Sequence, residues 1–259
     1  MTPEPNMEST PSPAVPAARN LFSRLIGVYF SPRETFREIG QSPRVLVPMI
    51  VMVVLGFLLG FYMTKRLDMQ SMLSAQFDKQ VMEGRLTKEQ VEQQMPIASK
   101  IIGVQILIAA ALGNVVVALV VAGVFKLIST LIGAENRFKS VFSVTLHTMI
   151  AVSIISSALF ALILSFRDPS EITFENLNSL VSSNLGAVLT SALGKDGLPK
   201  FIMKLAGWVD VFAIWMISLL AVGYSAVSQK LKTGTAATCL GVLYGIVAVI
   251  GSIIGALRG

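Results

Sequence analysis

Four stretches of this chain run for 20 residues or more without an Asp, Glu, Lys or Arg: residues 45–64, 101–125, 141–166 and 233–257. A bilayer hydrocarbon core about 30 Å thick is crossed by roughly 20 apolar residues rising 1.5 Å each, so runs of this length constrain the fold more than any other feature. A fifth stretch, residues 205–228, is interrupted only by Asp210. One central carboxylate costs about 3 kcal/mol, and the flanking "LAGWV" and "VFAIWMISLLAVGYSAVS" are apolar enough to insert despite it. Charged residues make up 14% of the chain, against about 25% in an average soluble domain. The expected fold class is therefore all-α, a polytopic membrane protein with five transmembrane helices near 45–64, 101–126, 141–166, 205–228 and 233–257. Residues 44–259 then form one transmembrane domain, with extracytoplasmic loops at 65–100 and 167–204.

Residues 176–194 are also uncharged, but only 9 of those 19 are hydrophobic, against 16 of 20 in the first span. Leu177, Leu180, Val181, Leu185, Val188 and Leu189 recur at helical spacing with Asn and Ser opposite. That pattern predicts an amphipathic helix at an interface or against the bundle, and an interfacial or a re-entrant course for 173–193 both remain open.

Before the first span, "LFSRLIGVYFSPRETFREIGQSPR" carries Arg24, Arg33, Arg37 and Arg44 among apolar side chains. Phe22, Leu25 and Tyr29 belong to a broad apolar face, with Arg24 on the polar side, and Phe36 lies on one side of a second short helix. "SPRE" supplies a capping box, with Ser31 as N-cap, Pro32 at the first helical position and Glu34 reaching back. Residues 19–43 are too short and too charged to span. They are expected to lie on the membrane as two interfacial amphipathic helices, anchored by Phe22, Arg24, Leu25, Tyr29, Arg33, Phe36 and Arg37. Residues 1–18 hold five of the eleven prolines and are expected to be a disordered tail. No short apolar core follows a basic start there, so a cleavable signal peptide is not expected.

Residues 65–100 hold six bases and five acids, with Gly84 at the bend of a predicted helical hairpin and Thr87 and Gln90 in a second capping-box pattern. The short loops "ENRFK" and "QKLK" are basic, as is the N-terminal flank, and five spans put all three on one side. The positive-inside rule makes that side cytoplasmic, with the N-terminus inside and the C-terminus outside. The net charge of +6 flanks the spans rather than forming a groove, so it points to anionic lipid headgroups and not to nucleic acid.

"GVYFSPRETFREIGQSPRVLVP", "LIGAENRFKSVFSV" and the Trp-containing "WVDVFAIWMISLLAVGYSAVS", together with the hydrophobic spans, resemble the bacterial branch of the Yip1-domain membrane proteins. The resemblance covers the chain from about Leu21 onward. It implies a five-span integral membrane protein with a cytoplasmic N-terminus, in the bacterial cytoplasmic membrane. Eukaryotic relatives associate with Rab GTPases and vesicle machinery, whereas the bacterial members have no assigned activity. The eukaryotic "DLYGP" motif is absent here, so no binding residues carry over.

Three polar residues within spans are candidates for function. Asp210 is either a buried functional carboxylate or an interfacial one beside Trp208. Asn114 reads as interhelical glue, and His147, the only histidine, as a hydrogen-bonded packing residue. Lys126 is expected to snorkel to the cytoplasmic interface. Gly56 and Gly60, Gly241 and Gly245, and Gly251 and Gly255 have the spacing of close helix packing, internal or in self-association. No paired-histidine, CxxC, phosphate-loop or nucleophile-elbow pattern is present, so neither cofactor nor catalytic residue is expected. The leading expectation is a membrane scaffold or adaptor acting in membrane organisation or trafficking-type processes, with lipids and possible protein partners. The alternative is a transporter or channel component in which Asn114, His147 and Asp210 line a polar route.

Overall fold

The computed structural model describes residues 20–169, 172, 181, 183–194 and 197–258. The expected tail at 1–18 and residues 173–180 and 182, including Leu177 and Leu180, lie outside the described residues, while the end of the 173–193 segment forms the short helix α7 (Leu185–Leu193). Ten helices follow one another among the described residues, and four of them are long and apolar enough to cross a membrane: α3 (Leu46–Arg66), α5 (Lys88–Leu131), α6 (Phe138–Phe166) and α10 (Thr233–Arg258). α9 (Val211–Val227) is a fifth apolar rod of 17 residues, about 25 Å long at 1.5 Å per residue. The all-helical fold expected from the sequence is the observed one. The fifth span is shorter than residues 205–228 because the chain breaks there into α8 (Lys200–Gly207), an extended link and α9.

Lipid-compatible surfaces cover the rods. On α3, Leu46, Val47, Ile50, Val54, Phe57, Leu58 and Phe61 are exposed, and α10 turns Val242, Ile246, Ile250 and Ile253 outward. With no hydrophobic drive between helices in lipid, close contact depends on small side chains and on hydrogen bonds. Accordingly, α3 and α5 meet where Gly56 faces the backbone of Ala110 and Ala111 and Gly60 faces Ala110 and Leu107. The buried core lies where α6 and α9 come together, around Val144, Leu220 and Tyr224, with the Tyr224 ring stacked on Phe125 of α5 at 3.9 Å between centroids.

α4 (Met69–Met82) and the start of α5 form the expected hairpin. Its bend is at Gly84, where φ is +68°, a conformation that glycine adopts without steric cost. The Thr87–Gln90 capping box is complete, and the helix it starts continues without a break into the membrane segment. The second span therefore extends well beyond residues 101–126 at both ends.

Candidate functional site

Two helices close one end of the bundle. α1 (Leu21–Phe30) and α2 (Pro32–Gln41) are joined by Ser31 alone, which is at once the C-cap of α1 and the N-cap of α2. Its N–H bonds back to the Gly27 carbonyl at 2.8 Å, and its side chain makes no capping bond. Pro32 occupies the first turn of α2 as expected, but the Ser31–Glu34 box does not form, because a one-residue joint commits Ser31 to ending the preceding helix.

This collar docks on protein. Leu25, Val28, Phe36 and Ile39 are buried in the core, and Phe36 lies against the Gly223 position of α9. Hydrogen bonds fix the arrangement: Tyr29 Oη donates to the Ala151 carbonyl at 2.6 Å, Ser140 Oγ to the Gly40 carbonyl at 3.3 Å, and Ser143 Oγ to the Arg44 carbonyl at 2.8 Å. Burial raises the Tyr29 hydroxyl above its ordinary pKa, so it remains a donor at neutral pH. The placement of Leu25, Tyr29 and Phe36 against α6 and α9 corrects the expectation that their side chains anchor the collar in lipid.

Arg24 departs furthest from its expected polar face. Its side chain is 1% exposed, with Nε 3.3 Å from Glu38 Oε1, Nη1 3.2 Å from the Ser42 carbonyl and Nη2 3.2 Å from Ser42 Oγ. A buried guanidinium needs a charge partner and satisfied donors, and α2 supplies both only after the α1–α2 turn has closed. Phe22, Ile26 and Phe30 recur every four residues along the outside of α1, and Arg33 and Arg37 lie exposed on α2. The outward-facing part of the collar is thus an apolar stripe with two free-standing arginines, and only Phe22, Arg33 and Arg37 of the expected anchors belong to it.

The loops sort by end. The 132–137 loop meets the 228–232 loop through Asn136 Nδ2, which donates to Ser228 Oγ at 3.1 Å, and through a bridge between Glu135 and Gln229. Lys126 reaches the same end, where its Nζ donates to the Asn136 carbonyl at 2.9 Å. At the opposite end, Arg66 donates to the carbonyls of Leu164, Ser165 and Arg167, and Tyr244 Oη donates to the Trp208 carbonyl. Collar, basic short loops and the start of α10 share one end of the bundle.

The three intramembrane candidates do not form one route. Asp210 is the N-cap of α9: Oδ1 accepts from the N–H groups of Phe212 and Ala213 at 2.8 and 3.0 Å, and Oδ2 accepts from Ser183 Oγ. The continuous 205–228 span is therefore corrected at Asp210, which starts a helix instead of lying inside one. The carboxylate satisfies orphan backbone donors at a helix end, the ordinary task of an N-cap aspartate. His147 is buried on α6 beneath the collar, its Nδ1 2.7 Å from the Ser143 carbonyl. A carbonyl only accepts, so Nδ1 carries the proton, and Nε2 has no partner among the described residues. Asn114 lines a crevice between α3 and α6 that shares Leu59 and Ser157 with the pocket at Asp210, and His147 lines neither. Among the described residues no three His, Cys, Asp or Glu side chains converge as metal ligands would.

The glycine pairs divide in the same way. A Cβ on Gly56 would lie 2.0 Å from the Ala110 carbonyl oxygen, and one on Gly251 would lie 2.7 Å from the Trp208 ring. Among the described residues Gly255 has only the Lys204 side chain nearby, and Gly241 and Gly245 face nothing within 4 Å, so close packing among them does not account for that pair.

Sequence reasoning missed the Arg24–Glu38–Ser42 cluster. The 14-residue spacing of the pair on two different helices carries no periodic signal, and only the one-residue joint at Ser31 hints that the helices fold back on each other. For Asp210 a signal did exist: an Asp directly before an apolar helical run reads as an N-cap.

The Yip1 domain family model matches residues 26–254, which takes in most of the collar and all five apolar rods. No curated protein and no solved structure matches the chain.

Proposed function

Because this chain belongs to the Yip1 domain family, we propose that it is a non-enzymatic membrane scaffold or adaptor of the bacterial cytoplasmic membrane, acting in membrane organisation or trafficking-type processes. In this reading the collar end faces the cytoplasm, the N-terminus is inside and the C-terminus outside. The basic loops on that end support it through the positive-inside rule.

The observation that carries the proposal is the two-sided collar. Its inner face is fixed to α6 and α9 by Arg24, Tyr29 and Phe36, while Phe22, Ile26, Phe30, Arg33 and Arg37 face away from the bundle. An apolar stripe beside exposed arginines suits the headgroup boundary of an anionic leaflet, with about 1 kcal/mol per basic residue near the surface. A rigid collar transmits that contact to the bundle, and it offers a surface for protein partners or for self-association.

The test reconstitutes the protein in vesicles with and without anionic lipid and follows collar accessibility by limited proteolysis. Anionic lipid is expected to protect the native collar. The triple variant Phe22→Ser, Ile26→Ser, Phe30→Ser should insert normally and lose that protection. Equal protection in both lipid mixtures would overturn the lipid-facing role.

A further inference from the structure

Most span hydroxyls in this protein are occupied by the helix that carries them. Thr145 Oγ1 donates to the Val141 carbonyl, Ser165 Oγ to Ala161, Ser218 Oγ to Ile214 and Ser252 Oγ to Ala248, each one turn back. Ser153 and Ser157, one turn apart on α6, make no such side-chain bond, and the Asn114 amide on α5 also has no hydrogen-bond partner among the described residues. All three line one cavity of about 310 Å³ between α3 and α6.

The depth and shape of this cavity restrict what can fill it. Asn114 and Ser153 lie near the middle of the uncharged runs 101–125 and 141–166, close to the bilayer centre. The lining extends along α6 from Ile150 to Ala161, about 16 Å at 1.5 Å per residue and so about half the hydrocarbon thickness. Leu58 and Ile154 at its edge are also exposed, which places its mouth toward lipid. The volume is at the lower end of the range for small-molecule sites, enough for a single ring and the first part of an alkyl chain, whose remainder can leave through the lipid-facing mouth, but not for a whole glycerolipid. Among the described residues no charged side chain lines the cavity, and Asp210, in the adjoining pocket that shares Ser157, is already bonded to Ser183 and to the start of α9, so a charged ligand would have no free counter-ion at that depth. An amide and two hydroxyls offer hydrogen-bond donors to a carbonyl oxygen.

The geometry points to a binding site for an uncharged, bilayer-dissolved amphiphile that carries carbonyl acceptors on an apolar body, with its polar end at Asn114 and Ser153 and its alkyl part running toward Ala161. This goes beyond the scaffold reading and does not depend on it. The three side chains would otherwise leave hydrogen-bonding capacity unused in hydrocarbon, where no solvent competes for it. Asn114 then serves as a ligand contact rather than as glue between helices.

The probe is decylubiquinone carrying a diazirine on its alkyl chain, added to the full chain in phosphatidylcholine nanodiscs and mapped by mass spectrometry after irradiation. Labelling is expected on crevice residues such as Leu58, Ile154 and Ala158. Unlabelled decylubiquinone should compete for it, and undecane, which has no acceptor, should not. Asn114→Leu should weaken competition by about three- to thirtyfold, the range that intramembrane hydrogen bonds support, with Ser157→Ala as a second, milder variant. The mapping and competition need only the native chain, so they decide the matter even if a variant misfolds. Labelling of outward-facing Leu112 and Val116 as strong as that of the crevice, or equal competition by undecane, would overturn the site.

Discussion

Replacing Gly56 with alanine adds one methyl group to a 259-residue chain, yet it should be among the most disruptive single changes in the bundle. The new Cβ would lie 2.0 Å from the Ala110 carbonyl oxygen and 2.8 Å from its carbonyl carbon. Side-chain rotation cannot relieve the clash, because both atoms belong to the backbone of α5. Restoring ordinary contact requires α3 and α5 to separate by at least about 1 Å, and a shift of that size loosens the packing on either side, including that at Gly60. Overpacking of this kind costs about 1–3 kcal/mol, and a protein of this size loses about 2–4 °C in melting temperature per kcal/mol. The expected drop is therefore about 2–12 °C in detergent, read by thermal shift with size-exclusion detection. Gly241→Ala is the matched control: a Cβ there meets nothing within 4 Å, and exchanging glycine for alanine inside a helix is worth about 1 kcal/mol in the stabilising direction. A Gly56→Ala protein as stable as the Gly241→Ala protein would refute the argument that α3 and α5 are held together by this close approach.

Other perturbations probe the collar, the α9 cap and the hairpin. Arg24→Met should destabilise collar docking by about 1–3 kcal/mol, less than a fully buried pair would lose because the Glu38 side chain is 25% exposed. Faster protease cleavage between α2 and α3 should report it. At Asp210, asparagine should keep the cap and nearly all stability, whereas alanine should cost about 0.5–2 kcal/mol in thermal unfolding; an equal loss in both would mean that the charge, not the cap, matters. Hydrogen bonds from the Ser71 side chain, then from the Ser71 and Gln70 backbone, hold the Asp68 carboxyl below its ordinary pKa. A lowered folded pKa means that the contribution is present above the unfolded value and is lost as pH falls through the folded one. Amide protection at the start of α4 should therefore survive acidification through the usual aspartate range and fail only below it, while Asp68→Asn should show no such step.

The rods were legible because bilayer thickness imposes a length on any uncharged run, and α3, α6 and α10 begin and end within a few residues of those runs. The Thr87–Gln90 box and the Gly84 bend were legible because capping and positive φ are local chemistry. Hydropathy alone misplaced Asp210, since a window average does not distinguish a carboxylate inside a helix from one that starts it. It also put Arg24 on the polar, membrane-anchoring side of the collar, because amphipathic periodicity describes a helix in isolation, whereas the partner at Glu38 arrives from the next helix. Asn114 was visible as a polar residue in a span, but the crevice it lines depends on how α3 and α6 diverge around it.

Single-cysteine labelling with a membrane-impermeant maleimide, in a Cys239→Ser background, tests the five-crossing arrangement most directly, because α9 has only 17 residues with which to cross. Cysteines at Arg33, Glu135 and Lys230 should all react from one side of sealed vesicles, and cysteines at Thr87 and Gly197 from the other. If Lys230 were instead labelled from the same side as Thr87, α9 would not traverse the bilayer, and the shared end of collar and basic loops would have to be abandoned.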